Sequence, residues 1–303
     1  MADVVVTQGL THDYGEVVAL RNVDVAIPSG ITGLVGANGA GKTTLLRILL
    51  GLLHPTTGTV NVLGHDAIID PLAVRSRTGY MPENSCLPKD QTAADFVAYA
   101  AELAGLPVDE AKRRSSETLF LVGLEEERFR FIGDFSTGMA QRVKLAQAIV
   151  HGPEVVLLDE PASGLDPAGR DQMLELILRL GGFGINVIFS SHVLPDIEET
   201  CDWVVMLDGG KLVRSGPVIQ SGGAPSLMVE VLGDPALLTE ALISQGLSAS
   251  LIHHAVTVEA VDENSYDVIR DSIARLGQGL LRLTPISRSL EDEFLVRADG
   301  EVR

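Results

Sequence analysis

Residues 36–43 read Gly36-Ala37-Asn38-Gly39-Ala40-Gly41-Lys42-Thr43, three glycines followed by a lysine and a hydroxyl side chain. That order suits one task. Glycine-rich backbone can curl successive N–H groups around phosphate oxygens, and the N-terminus of a following helix adds its partial positive charge. Lys42 supplies a mobile cation for the outer phosphates, and the Thr43 hydroxyl is placed to ligate Mg²⁺. Thr44 opens the same helix and joins the set expected to touch the nucleotide. The apolar run 31–35 before the loop and the amphipathic run 43–53 after it supply the strand and helix that the motif requires. The sequence therefore predicts a site for a nucleoside triphosphate.

Two carboxylates with matching chemistry lie far downstream, where Val155-Val156-Leu157-Leu158 precedes Asp159-Glu160. Apolar residues in succession predict a central parallel strand covered on both faces, and such strands present functional groups at their carboxyl ends. Asp159 there can hold Mg²⁺ directly or through water. Glu160 is an acceptor able to orient a water attacking the γ-phosphate, while Lys42 and backbone donors stabilise the charge that develops. Ser136, just ahead of a helical segment running to 150, reads as an N-cap whose hydroxyl and neighbouring N–H groups form a second anion site.

The elements that must position these groups follow from periodicity. Residues 4–27 alternate in short runs around a turn at 13–15 and predict antiparallel strands; 59–63, 78–81 and 186–190 predict further strands. Helical spacing at 92–105 and 108–122 places a mostly helical insertion at about 84–151. A crossover helix is expected at 172–180, giving a right-handed βαβ unit. A hairpin, 203–207 and 211–214, closes the first domain. Ser221-Gly222-Gly223-Ala224-Pro225 reads as a linker. Beyond it, strands at 227–232, 255–261 and 280–283 and helices at 235–245, 265–276 and 289–297 predict a small α+β sandwich. The expected fold is thus α/β, of the P-loop type, with an antiparallel β-subdomain and a helical insertion over 1–220, and a C-terminal α+β domain over 226–303.

Composition narrows the class. With 303 residues, 46% of them apolar, the chain can build two cores. A formal net charge of −18 opposes affinity for nucleic acid, which rests on clustered Lys and Arg. No stretch reaches the ~18 apolar residues that span a bilayer, and the N-terminus has no secretory pattern, so a cytoplasmic location is expected. Cys86 and Cys201 suit two reduced thiols, and adjacent His253 and His254 point to opposite faces of a strand and do not share a metal.

Further motifs stand in order: Phe135-Ser136-Thr137-Gly138-Met139-Ala140-Gln141-Arg142, then Leu157-Leu158-Asp159-Glu160-Pro161, Ser163-Gly164-Leu165-Asp166, and His192. Over residues 4–216 the chain resembles the nucleotide-binding subunit of the ATP-binding cassette (ABC) transporters. The resemblance implies an Mg²⁺-dependent ATPase in which two cassettes sandwich two ATP molecules head to tail. Ser136 and Gly138 would face the nucleotide held by the other subunit, with Asp166 at the crossing point. It further implies that His192 touches the γ-phosphate and that Tyr14 stacks on adenine. The implied partners are a second cassette, identical or different, and an integral membrane permease docked near 80–105. That would place the chain on the cytoplasmic face of the membrane.

Three positions depart from the commonest pattern. Glu83 stands where many cassettes carry a glutamine that contacts Mg²⁺ and water. Thr137 and Met139 replace the usual glycine and glutamine of the signature. The last two, with the short C-terminal domain, resemble the exporter branch for drugs, sodium or polysaccharides. Two other readings share the motifs: a soluble cassette ATPase of translation or DNA maintenance, and a regulatory cassette that senses ATP.

Overall fold

A computed structural model describes residues 3–84, 87–218, 226–252, 255–259, 261 and 263–286. The chain divides into two compact units, Met1–Val218 and Ile219–Arg303. The expected linker at 221–225, the helix at 289–297, Cys86 and the pair His253 and His254 lie outside the described residues.

The first unit opens with β1 (Asp3–Asp13) and β2 (Val18–Pro28), an antiparallel pair. Val23, Val25 and Ile27 point inward at period two while Asp24 and Ala26 face solvent. Then follow β3 (Ile31–Val35), α1 (Lys42–Leu49), β4 (Thr57–Val62), β5 (His65–Asp66), α2 (Pro71–Ser76) and β6 (Thr78–Met81). The helices α3 (Ala93–Leu103), α4 (Val108–Leu121) and α5 (Thr137–Ile149) make up the insertion. Next come β7 (Val155–Leu158), α6 (Pro167–Gly182), β8 (Asn186–Ser191), α7 (Leu194–Thr200), β9 (Trp203–Asp208) and β10 (Lys211–Pro217).

These strands form two sheets. An antiparallel sheet runs β2-β1-β4-β5, and a six-stranded sheet runs β10-β9-β3-β8-β7-β6. In the second, β9, β3, β8, β7 and β6 are parallel neighbours, and β10 returns antiparallel on the edge. All five residues of β3 and all four of β7 are buried, as consecutive apolar residues in a sheet covered on both faces require. The loops leaving the carboxyl ends of β3, β8, β7 and β6 therefore emerge side by side along one sheet edge.

Two helix boundaries differ from the sequence expectation by about four residues or more, each for a local reason. The apolar pattern of α1 continues through Leu53, yet the helix stops at Leu49 because Gly51 takes φ +62°. Its N–H donates to Ile48 O and that of Leu52 to Arg47 O, the left-handed termination that glycine favours. The crossover helix α6 begins at Pro167 rather than 172, since Asp166 caps it and proline suits the first helical turn.

The second unit is β11 (Ser226–Leu232), α8 (Pro235–Ser244), β12 (Ser248–Ile252), β13 (Ala255–Glu259), α9 (Glu263–Arg275) and β14 (Gly279–Ile286). Its sheet order β12-β13-β11-β14 with this βαββαβ succession is the ferredoxin-like arrangement. Leu227, Val229 and Val231 of β11 pack with Leu238 and Leu242 of α8 and Ile269 and Ile273 of α9, so both helices cover one face. β12 was absent from the sequence expectation because Ser248-Ala249-Ser250 carries little apolar alternation.

Candidate active site

The glycine-rich loop joins β3 to α1 and is held open by backbone packing. Gly41 caps α1 with φ +102°, and a Cβ there would lie 2.5 Å from the Ala19 carbonyl oxygen. Only glycine fits that conformation in that space. No side chain caps α1, so its leading N–H groups remain available to a ligand. Lys42, 6% exposed, folds back over the loop and donates to Gly36 O at 2.6 Å and Ala37 O at 3.4 Å. A cavity of about 380 Å³ gathers Tyr14, Ala37, Asn38, Gly39, Gly41, Lys42, Thr43, Thr44, Glu83 and Glu160. Ala40 is buried beneath it, its N–H bonded to Ala37 O, so it shapes the loop from behind. Tyr14 is exposed at the rim, its ring set edge-on to His12 at 4.4 Å and its hydroxyl 3.5 Å from Thr44 Oγ1.

Asp159 and Glu160 leave the carboxyl end of β7. A serine that belongs to no recognised motif organises them. Ser190 Oγ donates to Asp159 Oδ1 at 2.8 Å and accepts the Glu160 N–H at 2.8 Å. Glu160 sits at φ +48°, a left-handed backbone rare outside glycine that costs of order 1–3 kcal/mol and persists where its surroundings enforce it. The Ser190 bond is one such constraint. Its carboxylate, with 11% exposure, spans two groups: Oε1 is 3.3 Å from Lys42 Nζ, an ion pair without a hydrogen bond, and Oε2 is 3.0 Å from His192 Nδ1. His192 follows β8 and leaves 56% of its side chain exposed.

The donor set fits a hard cation. Asp159 is 1% exposed, and its Oδ2 is buried with no hydrogen-bond partner, a cost that a metal or its water would remove. Among the described residues no cluster of three or more His, Cys, Asp or Glu could hold a metal ion. Mg²⁺ takes one or two protein oxygens and leaves its other positions to water and substrate phosphates, a demand that the unpartnered Asp159 Oδ2 fits. Glu83 is exposed, and its backbone carbonyl accepts from Lys144 Nζ at 2.8 Å. The buried Lys144 thereby ties α5 to the segment after β6, a link that sequence spacing did not announce.

Ser136, Gly138 and Asp166 fall elsewhere. Ser136 caps α5 by accepting the Met139 N–H at 3.3 Å, as expected, and Asp166 caps α6 by accepting the Gly169 N–H at 3.0 Å. With Gly138, Arg142 and Gln172 they line a separate cavity of about 590 Å³ that contains neither Lys42 nor Glu160. The chain thus brings the loop, the acid pair and His192 together, and gathers Ser136, Gly138 and Asp166 apart from them.

Sequence comparisons agree with this geometry. The ABC transporter family matches residues 20–163. The bacitracin transport ATP-binding protein BcrA of Enterococcus faecalis is 31% identical over 298 residues, covering 97% of this chain and 96% of that protein. The methionine import ATP-binding protein MetN 1 of Acinetobacter baylyi is 37% identical over 209 residues, covering 66% of this chain and 58% of that protein. Among solved structures, cbiO1 from Clostridium perfringens, part of the ABC transporter complex cbiONQ, is similar. It gives a TM-score of 0.66 at 25% identity over 72% of this chain and 89% of that one.

Proposed function

Because the chain belongs to the ABC transporter ATP-binding family, we propose that it couples ATP hydrolysis at the cleft of Lys42 and Glu160 to outward transport by a separate membrane permease. One arrangement supports the residue roles above all: a single carboxylate set between the loop lysine and His192. The N–H groups at the start of α1 and Lys42 bind the phosphates, whose negative charge competes with Glu160 for the lysine. Glu160, released from that pairing, accepts a proton from the attacking water, and His192 keeps the carboxylate oriented. Tyr14 at the rim offers a ring for the base. Thr43 and Asp159 would hold Mg²⁺, with Glu83 near enough to the cleft to assist. When bound, that ion neutralises charge on the phosphates.

Ser136, Gly138 and Asp166 act, on this reading, on the nucleotide of a second cassette, since their cavity lies apart from the glycine-rich loop and Lys42. Export is favoured by the full-length match to a bacitracin transport protein, where the import relative covers only two thirds of the chain. Thr137 and Met139 in the signature point the same way. Among the described residues no helix is long and apolar enough to cross a membrane, and the permease would hold the chain at the cytoplasmic face.

Replacing Glu160 with glutamine tests the chemistry. Glu160→Gln is expected to bind ATP as the parent does, to hydrolyse it slower by a factor on the order of 10² or more, and to elute with ATP as a dimer in gel filtration. Hydrolysis at the parent rate would reject the assignment. Direction is read from inside-out vesicles containing the membrane permease that co-purifies with the chain. Export fills their lumen with labelled cargo when ATP is added outside, and ATP-driven loss from preloaded vesicles would reverse the reading.

A further inference from the structure

His192 is held in place by little of its own. More than half of its side chain is exposed, and its ring bonds to the Glu160 carboxylate through Nδ1. Its position therefore depends on the backbone that carries it, the two residues between β8 and α7. One end of that segment is fixed by the sheet, where Ser191 Oγ also accepts the Val193 N–H at 3.0 Å. The other end is fixed by an ion pair. Asp196, in the first turn of α7 and 8% exposed, receives the Arg170 guanidinium: Nε lies 2.8 Å from Oδ1 and 3.0 Å from Oδ2, and Nη2 also donates to Oδ1. Arg170 belongs to the first turn of α6, where its own N–H donates to Asp166 O at 2.9 Å. Glu160, Arg170, His192 and Asp196 border one cavity of about 260 Å³.

We propose that Arg170 is a positioning residue for ATP hydrolysis, clamping Asp196 so that His192 stays aligned with Glu160. The inference rests on the roles given above to Glu160 and His192. A planar guanidinium bonded at more than one point to a nearly buried carboxylate fixes direction as well as distance, which a single ammonium contact does not. Displacing a group by about 1 Å near reacting atoms can cost two orders of magnitude in rate. The same clamp gives Asp166 a path to the chemistry. Asp166 and Arg170 share one helical turn, so a partner that engages Asp166 and shifts that turn moves the backbone beneath His192. The second anion site and the hydrolytic centre, separate as cavities, are thereby joined mechanically through α6 and α7.

The experiment uses the full-length chain in five forms: Arg170→Lys, the double variant Arg170→Met with Asp196→Leu, His192→Ala, the triple variant that adds His192→Ala to the double one, and Glu160→Gln. Each is measured for ATP affinity, thermal unfolding and single-turnover hydrolysis. Replacing both members of an ion pair whose carboxylate is nearly buried with apolar side chains of similar size preserves folding better than removing one partner. The double variant should keep ATP affinity within roughly twofold and lose hydrolysis rate by about tenfold. Arg170→Lys, with charge but no fork, should lie between it and the parent. In a His192→Ala background the Met and Leu changes should slow hydrolysis no further, an outcome that a merely structural role would not produce. The proposal is overturned if the double variant hydrolyses at the parent rate while His192→Ala is slowed, or if the two effects multiply. Should the double variant not fold, Arg170→Lys decides, and a rate equal to the parent's overturns the proposal. If Glu160→Gln and His192→Ala both hydrolyse normally, the functional reading itself fails, and that result is distinct from the others.

Discussion

Two helix N-termini in the first unit open onto cavities, and they are built differently. At α1 the capping position is glycine, no side chain satisfies the first turn, and Lys42 stands ready beside it. At α5 the capping position is Ser136, whose hydroxyl already accepts the Met139 N–H. The first end leaves its donors to a ligand and brings its own cation and acid. The second has one of its leading donors already satisfied by its own cap and lies apart from the glycine-rich loop, so it offers fewer free donors than the first. Similar dipoles thus serve unequal tasks, and side chains decide which.

The strongest way to break this contrast is Lys42→Ala. Losing a charge-assisted bond worth about 2–3 kcal/mol should weaken ATP binding by roughly a hundredfold. Ser136→Ala, measured by the same titration on the isolated chain, should change affinity by less than about threefold. Equal losses would show the two ends to be alike.

The contrast sharpens in mixtures. A Lys42→Ala subunit combined with a Ser136→Arg subunit should yield heterodimers with one sound composite site and one doubly damaged site, and hydrolysis should recover to about half the parent rate at most. Mixtures that form heterodimers yet never exceed either variant alone would place Ser136 outside the partner's nucleotide site.

A smaller effect is expected on removing the second unit. A fragment of residues 1–223 should fold and bind ATP within roughly threefold of the full chain, because the first unit has its own buried core and every nucleotide-site residue named here. Aggregation, or loss of ATP binding, would show that the C-terminal unit completes that core.

The smallest effect concerns charge remote from either cavity. Arg77 donates from Nε to Glu154 at 2.6 Å, and this bond holds the Glu154 carboxyl below its ordinary value of 4.5. A depressed carboxylate stabilises the fold at neutral pH, and that contribution disappears as pH falls through its folded value below 4.5. Both groups are partly exposed, so Arg77→Ala should cost no more than about 1 kcal/mol in denaturant titrations at pH 7, less in high salt, and nothing at low pH. A larger loss that persists in acid would point instead to the bond from Arg77 Nη1 to Leu63 O.

Legibility in the sequence followed the range of the interaction. The phosphate loop, the buried strand before Asp159 and the Ser136 cap were readable because glycine conformation, consecutive apolar residues and caps act within a few residues of each other. The end of α1 was misjudged because Leu52 and Leu53 extend the apolar pattern while one glycine, Gly51, overrides it. Ser190 gave no signal, since a serine at the end of an apolar strand carries no periodicity of its own. Arg170 and Asp196 were equally silent, for each is an ordinary charged residue at a helix start.

What the sequence by itself determined is the set of reactive groups and the local turns that display them. Tertiary structure alone decided which groups meet. The parallel order β3-β8-β7 puts three carboxyl ends side by side, and only that adjacency lets one carboxylate, Glu160, lie between Lys42 of the first loop and His192 of the third. The order of strands in a sheet is fixed by burying apolar faces over the whole unit, a long-range condition that no run of neighbouring residues encodes.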